Sequence, residues 1–263
     1  MPRRTPSDAR RRALSQNFLH DQQVVADVVA TLHPPPGALV VDLGAGAGAL
    51  TQAVAAGGHR VLAVELDPHW ARHLRTHAPS WGAVSVQHGD ALRVPFPAER
   101  FLVVSNAPYA IGTKLVRRLL TDAHGLTRAV VVLQREAALR LAGGGRFAAS
   151  WAPWFELTVH RRIPARAFRP VPSVDGAILT IVPRPIPLLS PAAYPDYDAF
   201  LRAAFSGRGN TLARRLGVRP AALDALGLPR DATPGSIPPE SYARVFQSVV
   251  GSARYLTYGE GSP

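Results

Sequence analysis

The chain has 263 residues, 47% of them apolar, enough for one domain with an appendage or two modest domains and too many for a disordered polypeptide. It contains no cysteine, which excludes disulfides, thiolate metal sites, cysteine proteases and the cysteine-nucleophile route to methylation of cytosine carbon 5. Lys and Arg number 30 against 18 Asp and Glu, a net charge of +12, and such an excess favours a polyanionic partner.

In chain order, Arg3, Arg4, Arg10, Arg11 and Arg12 form a basic arm with few apolar residues. No apolar stretch of signal-peptide type follows it, and runs such as Ala129 to Leu133 are far shorter than the roughly 18 residues of a membrane span, so a cytoplasmic protein without membrane attachment is expected. From Asp21, a capping residue, Val24, Val25, Val28, Val29 and Leu32 recur at helical spacing until Pro34 to Pro36 force a stop. Short apolar runs then alternate with helical stretches: Leu39 to Leu43, Val61 to Leu66, Val84 to Gln87, Phe101 to Val104 and Ala129 to Leu133. That spacing predicts β-α-β units and a parallel sheet buried on both faces. Leu157 to Ile163 and Ala177 to Val182 lie close together and predict an antiparallel edge, making about seven strands. Prolines at 183, 185, 187, 191 and 195 then read as a linker, and only helical periodicity follows, through Phe200, Leu201, Ala204 and Phe205, then Leu212 and Leu216, then Tyr242, Val245, Phe246, Val249 and Val250.

Asp42-Leu43-Gly44-Ala45-Gly46-Ala47-Gly48 follows the first strand of the sheet and opens a helix, so its glycines let a ligand approach the backbone. The dinucleotide fingerprint places its third glycine five positions after the first, where this chain has Ala49, and the lone lysine, Lys114, is in the wrong order for a Walker-type phosphate loop. Glu65 ends the second strand, where a carboxylate can accept both hydroxyls of a ribose, and Asp90 follows the third, where it can accept from an adenine amino group. A cofactor with adenosine but no phosphate fits these loops, and S-adenosylmethionine is such a molecule. The histidines show no metal-ligand spacing, and no catalytic metal is expected.

Asn106-Ala107-Pro108-Tyr109 after the fourth strand resembles the Asn-x-Pro-aromatic loop of amino-methyltransferases. The exocyclic amine of adenine is a poor nucleophile because its lone pair is delocalised into the ring. Two acceptors, the Asn106 side-chain oxygen and the Ala107 carbonyl, can draw it towards tetrahedral geometry, while Tyr109 stacks on the purine and Pro108 stiffens the turn.

Together with Ser15-Gln16-Asn17-Phe18-Leu19, these motifs resemble the rRNA adenine-N6 dimethyltransferases, from about Arg11 to the end of the chain. Arg12 to Leu19 and Phe168-Arg169-Pro170-Val171-Pro172-Ser173-Val174-Asp175 look most like the erythromycin-resistance (Erm) branch. The resemblance implies a Rossmann-like α/β fold of the class I S-adenosylmethionine-dependent methyltransferases, with a mostly parallel seven-stranded sheet and a small all-helical C-terminal domain. It divides the chain into a basic arm and cofactor-contacting segment (1–20), a catalytic domain (21–183), a Pro-rich linker (184–195) and a helical RNA-binding domain (196–263). Asn17 and Leu19 would reach the methionine end of the cofactor, Gly44 and Gly46 would line it, Glu65 would hold the ribose and Asp90 the adenine. Asn106 would touch cofactor and target amine, and Tyr109 and Phe168 would sandwich the flipped base. Ala107 replaces the usual Leu or Ile, and Ala110-Ile111-Gly112-Thr113 replaces the more usual Asn-Ile-Ser-Thr.

Arg161, Arg162, Arg166 and Arg169, with Arg208, Arg214 and Arg215 in the tail, are candidates for RNA contact. Gly209-Asn210 stands where the ribosome-biogenesis branch commonly has a basic pair. The expected activity is therefore N6-methylation, mono or di, of one adenine in large-subunit (23S) rRNA before the ribosome is fully assembled. It would be carried out by a monomer and confer macrolide, lincosamide and streptogramin B resistance. The competing readings are a small-subunit (16S) rRNA adenine dimethyltransferase and a non-catalytic nucleic-acid binder on the same fold.

Overall fold

A computed structural model describes residues 17–256, with side chains through residue 249. The basic arm, Ser15, Gln16, the Val250 side chain and the last seven residues of the expected helical domain lie outside the described residues. The chain divides into two compact units, one of residues up to 139 with 158–183, the other of 140–157 with residues from 184 onward.

In the first unit the elements are β1 (Phe18–Leu19), α1 (Gln22–Leu32), β2 (Leu39–Leu43), α2 (Ala49–Ala56), β3 (Arg60–Glu65), α3 (Pro68–Trp81), β4 (Val84–His88), β5 (Phe101–Asn106), α4 (Gly112–Asp122) and β6 (Leu126–Gln134). α5 (Arg135–Ala142), β7 (Phe155–Ile163), β8 (Phe168–Arg169) and β9 (Gly176–Pro183) follow, while α6 (Arg146–Trp151), between α5 and β7 in the chain, belongs to the second unit. Asp21 caps α1 by accepting from the Gln23 and Val24 amides at 3.0 and 3.2 Å, so two amides without helical partners are satisfied. The helix buries Val24, Val25, Val28 and Leu32 and stops at His33, whose left-handed φ of 47° precedes the prolines.

Seven strands form one sheet in the order β4-β3-β2-β5-β6-β9-β7. β2 pairs in parallel with β3 on one side and β5 on the other, so the strand order reverses between β2 and β5. Such a switch point opens a crevice at the carboxyl ends of the strands. β5 is buried from Phe101 to Ser105, as expected for a central strand covered by helices on both faces.

β9 and β7 are neighbours at one end of the sheet, as their closeness in the chain predicts. β9 inserts between β6 and β7, antiparallel to β6. Its residues 176–181 are all buried, whereas β7 alternates along 155–160. A continuous apolar run tolerates an interior place and an alternating one suits an edge. Outside the sheet, β1 and β8 pair antiparallel, Phe18 opposite Arg169 and Leu19 opposite Phe168.

The second unit contains α6, α7 (Tyr194–Ser206), α8 (Leu212–Leu216), α9 (Pro220–Asp224) and α10 (Ser241–Leu256). Its core gathers Ala149, Leu189, Tyr197, Leu201, Leu212, Tyr242 and Phe246. Two expected boundaries change here. Residues 140–157, expected in the catalytic domain, belong to this unit: the Tyr197 hydroxyl donates to the Ala149 carbonyl at 2.9 Å, and Trp154 Nε1 to the Leu189 carbonyl at 2.9 Å. The 184–195 segment is not a free linker either. Leu189 is buried, Pro191–Ala193 form a 3₁₀ turn, and α7 begins at Tyr194.

Candidate active site

At the carboxyl ends of the strands lies a cavity of about 180 Å³, lined by residues of the first unit. Asn17, Leu19, Gly44, Gly46, Glu65, Asp90, Asn106 and Pro108 all face it. The Gly44 and Ala45 amides donate to the Val64 carbonyl at 2.9 and 3.0 Å, which turns the chain sharply after β2. Gly46 has a φ of +55°, and a Cβ there would lie 2.8 Å from Phe18 Cε1. Only glycine satisfies both conditions, so the turn packs against the aromatic ring that closes the cavity wall.

Glu65 is 3% exposed, and its two oxygens accept from the Gly46 and Asp67 amides, each at 2.7 Å. Burial raises its carboxyl above the ordinary value, against the pull of those amides. Each carboxylate oxygen has a second lone pair, so the two amides hold the group in place without using up its acceptor capacity. Asp90 Oδ1 accepts from the Leu92 amide at 2.8 Å, fixing the side chain in an Asx turn.

Asn106 Nδ2 donates to the Asn17 main-chain carbonyl at 2.7 Å. A carbonyl accepts only from the nitrogen, so this contact settles which end of the amide is which and leaves Oδ1 as the free acceptor. Asn17 thus bears on the site through its backbone, and β1 is in turn clamped to β8, with the His20 amide donating to the Ala167 carbonyl at 3.1 Å.

Ala107, Tyr109 and Phe168 do not line the cavity. Ala107 is 2% exposed and Phe168 fully buried, packed in the core with Ile163 and Ile178. The rings of Tyr109 and Phe168 meet edge-on at 6.4 Å and 70°, which leaves no parallel gap between them. The expected sandwich is not formed, because Phe168 serves the core. The Tyr109 hydroxyl is buried with no hydrogen-bond partner among the described residues, and burial pushes it up to about 12, with the Asp175 charge adding.

Asp42 is a cavity carboxylate to which the sequence assigned no role. It is 1% exposed; Oδ2 accepts from the Thr51 hydroxyl at 2.6 Å, while Oδ1 is buried without a partner among the described residues. Burial pushes the carboxyl up to about 7, the Thr51 bond opposing and the Glu65 charge adding. The only signal for it was its place two residues before Gly44, where the glycine turn begins. Phe18, Leu66, Ala91 and Ile111 also line the cavity; each lies in or beside a segment the sequence singled out, but no periodicity marks an apolar residue there as facing a ligand.

The candidate RNA-contacting arginines separate into groups. Arg166, Arg169, Arg208 and Arg214 are exposed. Arg161 and Arg162 are exposed too but pair with Asp27 and Asp175, and the Arg162 guanidinium holds the Asp175 carboxyl below its ordinary value. Arg215 is a fastener, with Nε donating to the Gly209 carbonyl at 2.8 Å and Nη1 to the Phe205 carbonyl at 2.6 Å. Among the described residues no three His, Asp or Glu side chains are placed to hold a metal, and no helix is long and apolar enough to cross a membrane.

The doubly wound sheet, the glycine turn, the strand-end carboxylates and the Asn-x-Pro-Tyr loop at one crevice define the class as a Rossmann-like, S-adenosylmethionine-dependent amino-methyltransferase. Sequence comparison is more specific. The model of the ribosomal RNA adenine dimethylase family matches residues 7–250, and the chain belongs to that family. It is similar to the mycinamicin-resistance protein MyrB of Micromonospora griseorubida, 41% identical over 252 residues that cover 88% of this chain and 78% of that protein. An rRNA adenine N-6-methyltransferase of Streptomyces fradiae is 38% identical, over 91% of this chain and 78% of its own length. The crystal structure of the 23S rRNA methyltransferase ErmE superposes with a TM-score of 0.81 at 30% identity, covering 89% of this chain and all of that one. The chain is thus an rRNA adenine-N6 methyltransferase by family and by fold.

Proposed function

We propose that the protein methylates N6 of one adenine in 23S rRNA and so confers resistance to macrolides, lincosamides and streptogramin B. The observation that carries the chemistry is the bond from Asn106 Nδ2 to the Asn17 carbonyl, which presents Oδ1 as an oriented acceptor at the cavity rim. Likeness to MyrB and ErmE supports the large-subunit target. The cavity suits S-adenosylmethionine: Glu65 and Asp90 offer acceptors for ribose and adenine, and the unpartnered Oδ1 of Asp42 leaves an unused acceptor on a carboxyl whose ionised form a cationic ligand would favour. When bound, that cofactor supplies an electrophilic methyl group on a sulfonium.

The protein's part is alignment. Asn106 Oδ1 and the Ala107 carbonyl accept from the two N6 hydrogens and draw the amine lone pair out of conjugation. Holding the amine in line with the methyl group removes the entropy of finding that geometry. No strong base is required, because the methylated nitrogen loses its proton readily to water. For the adenine to stack on Tyr109, the 106–110 loop must swing the ring out of its edge-on contact with Phe168.

Exposed Arg166, Arg169, Arg208 and Arg214 are assigned to the RNA backbone, Arg161 and Arg162 joining them by exchanging their carboxylate partners for phosphates. The protein acts as a cytoplasmic monomer, on RNA not yet fully assembled into the subunit. Expressed in a drug-sensitive bacterium, it should raise resistance to erythromycin, and Asn106→Ala should abolish the effect. Unchanged drug sensitivity with soluble protein present would overturn the proposal.

A further inference from the structure

A stacked adenine cannot reach the cavity, so the enzyme needs a device that separates the base from its neighbours. The loop between β8 and β9 has the properties of one. Val171 is 64% exposed and Val174 41% exposed. A single exposed valine says little, but this one is held by its surroundings. Pro170 and Pro172 flank it and fix the backbone on both sides. Before the loop, Phe168 is buried in the core and paired to Leu19 of the cavity wall. After it, the Asp175 carboxylate accepts from the Ala165 amide at 2.9 Å and pairs with Arg162, while its carbonyl accepts from the Arg135 amide at 2.9 Å. A stiff aliphatic tip therefore projects from β8, the strand paired to β1 of the cavity wall. Arg166 and Arg169, exposed and without ion-pair partners among the described residues, both precede it in the chain, Arg169 directly.

Apolar side chains on a rigid mount beside phosphate-seeking cations suit insertion between bases, where an aliphatic group replaces the stacking that a displaced base gives up. We propose that the 170–174 tip, led by Val171, is a wedge that enters the base stack next to the target adenine and holds its place while N6 is presented to the cavity. The inference rests on the proposed activity, and its test separates the two.

The wild type, Val171→Ser and Val171→Ile are assayed on two RNAs that differ only at the target: one hairpin with the adenine stacked, one with the opposing segment removed so that the adenine is already unstacked. Val171→Ser is expected to lose about tenfold or more in kcat/KM on the stacked RNA and to approach wild type on the unstacked one, because the lost contribution is to base displacement. Val171→Ile should keep wild-type rates on both. With 2-aminopurine replacing the target adenine, the fluorescence rise on binding should be weaker for Val171→Ser on the stacked RNA alone. An equal loss on both RNAs, or no loss on either, overturns the wedge and leaves the methyltransferase reading standing. Val171→Ser that abolishes self-association of the wild type without changing either rate assigns the tip to a second copy and also overturns it. Absence of methyl transfer by the wild type to both RNAs overturns the target assignment and the wedge with it.

Discussion

Gly46→Ala tests whether the glycine turn and the Phe18 wall are one device. Gly46 sits at φ +55°, where an L-residue is strained by about 1–2 kcal/mol. Its new Cβ would also lie 2.8 Å from Cε1 and 3.2 Å from Cδ1 of Phe18, so the ring must rotate away, at a further cost of about 0.5–1.5 kcal/mol for an off-rotamer side chain. Phe18 lines the cavity and contacts Trp70, ring centroids 5.0 Å apart, so its displacement reaches the cofactor site. Gly58→Ala is the control: φ is +78° but no atom lies within 4 Å of the built Cβ, leaving strain alone. Both variants should melt lower than wild type, while only Gly46→Ala should weaken S-adenosylmethionine in calorimetry, by about tenfold or more, if strain and displacement fall on the bound geometry. Wild-type affinity in Gly46→Ala, with Gly58→Ala destabilised as expected, would refute the coupling of turn to ring.

Asn106→Ala should lower turnover by about 10² to 10³, since it removes an acceptor used mainly in the transition state; RNA affinity by filter binding should hardly change. Arg208→Ala and Arg214→Ala should each flatten the log-log dependence of RNA affinity on salt, by about 0.7 if a single-stranded phosphate is lost, without moving Tm. Arg215→Ala should instead lower stability by about 1–2 kcal/mol, because its bonds go to the Gly209 and Phe205 carbonyls. Asp42 has a folded value of about 7 against an ordinary 3.8, so the folded state keeps a proton that the unfolded chain releases. Stability of the cofactor-free protein should therefore fall as pH rises between those values and level off above 7. Asp42→Asn should lack that fall, the two proteins diverging by about 2 kcal/mol between pH 5 and 7.5 in urea titrations; a pH-independent difference would count against it.

The sheet was legible in the sequence because buried parallel strands are short apolar runs at regular spacing, and Leu39–Leu43 matches its run residue for residue. Place in the sheet was harder to read. Proximity in the chain puts β7 and β9 together at one end of the sheet, but only the continuous run of β9 against the alternation of β7 says which of the two is outermost. Two-residue strands such as β1 and β8 have no period at all, so the ribbon that ties Leu19 to Phe168 had no signal. The same holds for residues 140–157, whose transfer to the helical unit depends on Ala149 and Trp154 meeting Tyr197 and Leu189, contacts distant in sequence. Within the site, Glu65 and Asp90 were readable from their positions after strands. The role of Asn17 was not, because its contact with Asn106 is made by a carbonyl that every residue possesses.

The nucleotide that the protein modifies decides its function. Primer extension on both rRNAs from cells expressing the protein, with mass spectrometry of the fragment at the stop, measures it directly. An N6-methylated adenine in 23S rRNA that is absent from the Asn106→Ala strain is the predicted result. Modification confined to 16S rRNA, restoring the methylation of a strain that lacks its own small-subunit enzyme, would contradict it.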